Sequence, residues 1–158
     1  MHRRALLTAA LAVVATPAAA QETCPRPDGG DAAAEALLDG TNALRRGRGL
    51  PALSVSGPLK RAAQRHSCHM ARSGRMSHTG RGGSTVGDRA TAAGYRWRFI
   101  AENVAEGYPT AEAVLDGWQG SSGHRANLLA PEARDIGIGL AEGDGRRYWT
   151  MVLGAPRG

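Results

Sequence analysis

The apolar residues of this chain keep two different periods, and no other feature restricts its fold as much. Leu37, Leu38, Thr41, Leu44 and Arg45 fall on one face of a helix expected from Asp31 to Arg48. Leu59, Ala62, Ala63, His66 and Met70 make a second helical stripe, which starts at Ser56-Gly57-Pro58 with proline in the first turn. Near the other end the period falls to two, because Ile136, Ile138 and Leu140 alternate with other residues. Glu142-Gly143-Asp144-Gly145 then supplies a turn, and Tyr148 to Leu153 returns as the second strand of a hairpin. Helices and strands must therefore share a core, and 158 residues suffice for one domain but not for two.

Between these ends, Gly74 to Gly94 reads as a glycine- and arginine-rich loop that carries His78, with Asp88 capping a short helical turn. Tyr95 to Val104 reads as a strand with Glu102 near its end. Thr110 to Gln119 forms a helix with Val114, Leu115 and Trp118 inward, and Gly123 to Leu129 forms a short one stopped by Pro131. Two residues run against their surroundings. Gly40 weakens the first helix by roughly 1 kcal/mol relative to alanine. Arg45 lies beside an apolar stripe, so its guanidinium needs an acidic or carbonyl partner.

Residues 1–20 have the form of an export signal. Arg3 and Arg4 precede the apolar run Ala5 to Ala15, Pro17 breaks it, and Ala18-Ala19-Ala20 offers a cleavage site. The arginine pair also admits the twin-arginine route. Cleavage after Ala20 leaves an irregular arm, residues 21–30, ahead of a single domain over residues 31–158. No run is long enough for a membrane span, so the expected product is a soluble monomer, secreted or periplasmic. Removing Arg3 and Arg4 with the leader lowers the formal charge from +6 to +4. That charge suits mild attraction to anionic envelope polymers or lipid headgroups. Nucleic acid is not an expected partner, since no basic helix or basic–aromatic platform is present.

Export changes the reading of the two cysteines. One Cys24–Cys68 disulfide is the simplest state in an oxidising compartment. At 100° per residue Cys68 lies opposite the apolar stripe, away from the core, where the arm can reach it. Such a loop contributes roughly 3–4 kcal/mol.

Three stretches carry the chemistry: Ser77-His78-Thr79, Ala101-Glu102-Asn103 and Gly123-His124-Arg125. Imidazoles and a carboxylate can hold a cation, activate water or move protons near neutral pH. They can equally pin an irregular cleft through hydrogen bonds, and Asn103 reads as such a clamp. Ser121 and Ser122 near His124 lack the Gly-x-Ser-x-Gly elbow of a serine hydrolase and read as helix caps. His66 and His69 stand one turn apart; His66 reads as a packed core histidine and His69 as solvent-facing. Trp97, between Arg96 and Arg98, is the tryptophan most suited to touch a ligand.

The order of short blocks resembles the CAP superfamily, the secreted cysteine-rich, antigen-5 and pathogenesis-related-1 group. The blocks are Leu38-x3-Asn42-x2-Arg45, Leu59-x2-Ala62-x3-His66-Ser67-x2-Met70, Ser77-His78-Thr79-Gly80, Asp88-Arg89, Ala101-Glu102-Asn103-Val104-Ala105, Trp118-x2-Ser121-x-Gly123-His124-Arg125-x-Asn127-Leu128-Leu129, and Ile136-Gly137-Ile138-Gly139 with Tyr148-Trp149. The resemblance implies an α+β fold, an α-β-α sandwich with a small, mainly antiparallel central sheet flanked by helices. It also implies a cleft formed by His78, Glu102 and His124. Within it His78 and His124 are the expected metal ligands, for Zn²⁺ or another divalent cation, and the same three residues are the candidate catalytic set. The chain departs from the family at Ser121, where many animal members carry a second glutamate, at Ala101 for glycine, and at Met151 for glutamine. A binding role follows, with a cation, lipid or sterol, envelope glycan or protein as ligand. The alternative is a metal-assisted hydrolase of peptide or ester bonds, in which Glu102 takes a proton from bound water.

Overall fold

A computed structural model describes residues 24–158; the leader over residues 1–20 and the start of the arm lie outside the described residues. The elements are α1 (Gly30–Arg46), β1 (Ser54–Val55), α2 (Gly57–Ser73), a 3₁₀ turn (Arg81–Gly83), α3 (Val86–Ala92), β2 (Trp97–Glu106), α4 (Ala111–Gly120), α5 (Ser122–Leu128), β3 (Asp135–Gly143) and β4 (Arg146–Pro156). The strands form one sheet in the order β1-β3-β4-β2, and only β1 pairs in parallel. This is the expected α+β sandwich with a mainly antiparallel sheet. The two-residue β1 was not legible in the apolar pattern.

The alternation in β3 separates large side chains from small ones. Ile136, Ile138 and Leu140 face the layer of α1 and α4, beside Leu153, Met151 and Trp149 from β4. The intervening Gly137, Gly139, Ala141 and Gly143 face α2. A Cβ at Gly137 would lie 2.1 Å from the Leu59 carbonyl carbon, and one at Gly139 would lie 2.3 Å from Ala63 backbone atoms. At Gly143 the Ala71 carbonyl oxygen would be 2.4 Å away. Helix α2 therefore rests on strand backbone along residues four apart, the spacing of one helix face. Both faces of the sheet are covered, so its polar residues, such as Thr150 against Ser67, need hydrogen-bond partners.

That contact corrects the expected orientation of Cys68. It is fully buried, packed with Met70, Val104, Ala141 and Tyr148 rather than turned away from the core. The arm comes down onto it: Cys24 and Cys68 form the expected disulfide, with S–S 1.98 Å and Cα–Cα 5.7 Å. The arm also covers the free edge of β3. Because β1 pairs only as far as Ile136, the Gln64 side chain replaces a strand, accepting from Leu140 N at 3.1 Å and donating to Leu140 O at 2.9 Å. Arg26 donates to the Ile138 carbonyl and to Gln64 Oε1. Unpaired edge groups are satisfied without presenting a template for another chain.

Several boundaries differ from expectation. Helix α1 begins at Gly30 after a left-handed Gly29, so Asp31 sits in the first turn and is not the cap. Gly40 lies where α1 meets α4, and a Cβ there would lie 2.7 Å from Leu115 Cδ2, so that side chain would have to shift. The cap of α3 is Thr85, with Asp88 completing a capping box. Strand β2 runs on to Glu106, which leaves Glu102 in mid-strand. The β3–β4 turn is Asp144-Gly145, both at positive φ, as a tight hairpin demands. Arg45 is fully buried and donates to the carbonyls of Pro51, Leu128, Ala130 and Ala133. It meets its need with carbonyls alone and ties the loop after α5 to α1.

Candidate histidine–glutamate site

Strand β2 is an edge strand, and successive residues on it face opposite layers. Glu102 pairs with Val152 and points to the α2–α3 side; Asn103 pairs with Met151 and points to the α5 side. The two histidines reach this strand from different directions.

His78 arrives on the long loop. Its Nδ1 donates to Glu102 Oε1 at 2.8 Å. Arg89 donates to Glu102 Oε2 at 2.5 Å, and also to the carbonyls of His78 (3.1 Å) and Ser84 (2.7 Å). Glu102 is 2% exposed and Arg89 11%, whereas the His78 ring is 61% exposed. A carboxylate can only accept, so His78 Nδ1 carries the proton. In the neutral ring Nε2 is then the nitrogen with the free lone pair. His66 pins the residue before it, donating from Nε2 to the Ser77 carbonyl at 2.7 Å. Burial, reinforced by the charge of Arg89, pushes the His66 pKa down to about 4, so this ring is neutral.

His124 arrives on α5, which is clamped to β2 by two asparagines. Asn103 Nδ2 donates to the His124 carbonyl at 3.1 Å. Asn127 Nδ2 donates to Asn103 Oδ1 at 2.8 Å and to the Glu102 carbonyl at 3.2 Å. The ring is half-buried and tilted against Trp118, with centroids 6.4 Å apart. Its pKa is lowered, first by burial and then by the charge of His78.

His78 and Glu102 are thus in direct contact, and His124 is fixed to the same strand through its backbone. Among the described residues no group of three or more His, Cys, Asp or Glu side chains is arranged to hold a metal ion. Any cation here would depend on the two imidazoles and water. Arg89, which occupies the second oxygen of Glu102, was missed as a site residue. Its only sequence signal was its place in the Asp88-Arg89 block.

Other expectations need correction. Ser121 occupies the N-cap of α5, but its hydroxyl makes no capping bond, and Ser122 is already the first helical residue. His69 is half-buried and stacks on His66 at 6.2 Å, not solvent-facing. Trp97 packs on Gly87 and donates to the Thr91 hydroxyl, so it is no open platform. Met151 fills the core instead of serving the site.

Fold and site together define an α-β-α domain with a carboxylate-anchored histidine at the edge of its sheet. The chain belongs to the CAP family, the cysteine-rich secretory protein family, whose profile matches residues 38–153. It is 30% identical over 138 residues to the protein YkwD of Bacillus subtilis, covering 85% of this chain and 53% of YkwD. It is 31% identical over 115 residues to the membrane protein YlbC of the same organism, covering 73% of this chain and 32% of YlbC. The chain thus spans about half or less of these relatives. Among solved structures it is similar to an SCP-domain extracellular protein from Bacillus anthracis, with TM-score 0.70 and 29% identity, covering 76% of this chain and 39% of the other. An outer surface protein of Borrelia burgdorferi shares the fold at TM-score 0.77 and 19% identity, covering 84% of this chain and 98% of the other. The domain is therefore of a kind found in bacterial extracellular proteins. No helix among the described residues is long and apolar enough to cross a membrane.

Proposed function

We propose that this chain acts as an exported binding module, secreted or periplasmic and monomeric, that holds a divalent cation between His78 and His124. The observation that carries this reading is the Glu102–His78 bond. A buried carboxylate that accepts from Nδ1–H leaves the Nε2 lone pair of a largely exposed side chain available, the arrangement by which a carboxylate orients a metal-binding histidine. The lowered pKa of His124 keeps the second ring neutral, as a ligand must be. Imidazole donors suit Zn²⁺. Two protein ligands with the remaining positions open fit modest affinity, and a bound ion would offer those positions to water or to an oxygen of a larger ligand, whether lipid, glycan or protein.

The hydrolase alternative needs Glu102 as a general base. Both of its oxygens are engaged, one by His78 and one by Arg89, which supports a positioning role instead. Calorimetric titration of the exported protein with Zn²⁺ should give saturable binding, lost in His78→Ala and in His124→Ala. No heat at micromolar metal would overturn the cation reading. Turnover of peptide or ester substrates that required Zn²⁺ and both histidines would favour the hydrolase.

A further inference from the structure

A cavity of about 570 Å³ opens between α2 and α3, and four arginines reach its largely apolar lining. Arg65 and Arg72 stand on the α2 wall; Arg81 from the 3₁₀ turn and Arg89 from α3 stand across from them, with His66 and His69 between. Of these side chains the cation site uses Arg89, on Glu102, and His66, on the Ser77 carbonyl.

The lining offers little negative charge in return. Asp88 is its single acid, and that carboxylate is committed to the Thr85 backbone N–H and hydroxyl. Glu102, outside the lining, pairs with Arg89. One buried donor of the lining also lacks a partner, Arg65 Nε. An unpaired buried guanidinium donor is costly unless something accepts from it. The floor is not wholly polar, because Ala62 and Ala92 line it as well.

We infer that this cavity is a binding site for a small phosphate monoester, its phosphate held by Arg65 and Arg81, its apolar body against Ala62 and Ala92. Guanidinium forks pair with carboxylate and phosphate alike. Phosphate is favoured because the arginines stand on opposite walls, and a tetrahedral dianion presents oxygens to both while a planar carboxylate serves one fork. The phosphate can belong to a soluble ester or to a lipid headgroup.

The test is calorimetric titration of the full exported chain with hexyl phosphate, inorganic phosphate and hexanol, at low and at high salt. Hexyl phosphate should bind saturably and more tightly than inorganic phosphate, hexanol should not bind, and salt should weaken the interaction. Arg65→Gln and Arg81→Gln should each lower the affinity about tenfold or more, as loss of a charge-assisted bond requires. Arg46→Gln, on the distant α1, should leave it unchanged. Thermal unfolding of each variant shows that it is folded. Vesicles containing phosphatidic acid separate the sources: capture lost in Arg65→Gln places the phosphate on a lipid, and binding of hexyl phosphate without capture places it on a soluble ester. Absence of both, or an equal loss in Arg46→Gln, overturns the inference. Zn²⁺ titration runs alongside, since failure of the cation site leaves the phosphate result unaffected.

Discussion

Replacing Glu102 by glutamine changes one oxygen to an NH₂ in a side chain that is 2% exposed, and the consequences can be followed atom by atom. Arg89 only donates, so the remaining amide oxygen must turn toward Arg89 and the NH₂ toward His78. His78 Nδ1 must then accept, which moves its ring proton to Nε2, the nitrogen proposed to bind the cation. The bond from Arg89 survives but loses the charge on its acceptor, and charge-assisted bonds are worth about 1.5–3 kcal/mol against about 1 for neutral ones. Arg89 is nearly buried, so solvent compensates little. The variant should lose about 1–2 kcal/mol of stability in urea unfolding, and Zn²⁺ affinity should fall about 10–100-fold, the usual effect of removing an orienting carboxylate. Glu102→Gln with Zn²⁺ affinity within twofold of the parent would refute the claim that Glu102 acts through the tautomer of His78.

Further expectations follow from the packing and the buried groups. Gly139→Ala should cost about 1–3 kcal/mol or more in denaturant, because its methyl would meet the Ala63 backbone at 2.3 Å, whereas Gly120→Ala, with nothing within 4 Å, should stay within about 0.5 kcal/mol; equal effects would contradict the strand-contact account of α2. Replacing Cys24 and Cys68 together by serine should cost roughly 4 kcal/mol, from the 44-residue separation they close; an unchanged unfolding midpoint would refute the staple. His66 has a folded pKa of about 4, below that of the unfolded chain, so the unfolded chain takes up its proton first. Its neutral burial favours the fold above about pH 6.5, and that contribution is lost as pH falls from there to about 4, at up to about 1.4 kcal/mol per pH unit. Urea unfolding of His66→Gln should show a shallower loss in that window, and a slope equal to the parent's would contradict it.

What the sequence revealed depended on whether local spacing or long-range contact set the residue. The two helical stripes and the hairpin are local patterns, and they matched α1, α2, β3 and β4 to within a few residues. The orientation of Cys68 was misread because periodicity finds the more apolar side of a helix, while α2 is buried on both by the sheet and the arm. Gly40, Gly137 and Gly139 looked neutral or unfavourable in sequence, and only the helices crossing them explain their size. The resemblance placed His78 and Glu102 in one cleft, and the two are bonded to each other; Asn103, read as a clamp, donates to the His124 carbonyl. Arg89 was not, because nothing in a lone arginine after a helix cap announces which carboxylate 13 residues away it will reach.

The cation reading turns on His78 keeping its proton on Nδ1, where Glu102 accepts it, and offering Nε2 to an ion shared with His124. Nitrogen-15 NMR of the imidazole rings, with and without Zn²⁺, tests it most directly. Near neutral pH His78 should appear with its proton on Nδ1, and added Zn²⁺ should move the resonances of His78 and His124 together while leaving His66 in place. A His78 protonated on Nε2, or Zn²⁺ shifts confined to His66 and His69, would contradict the account.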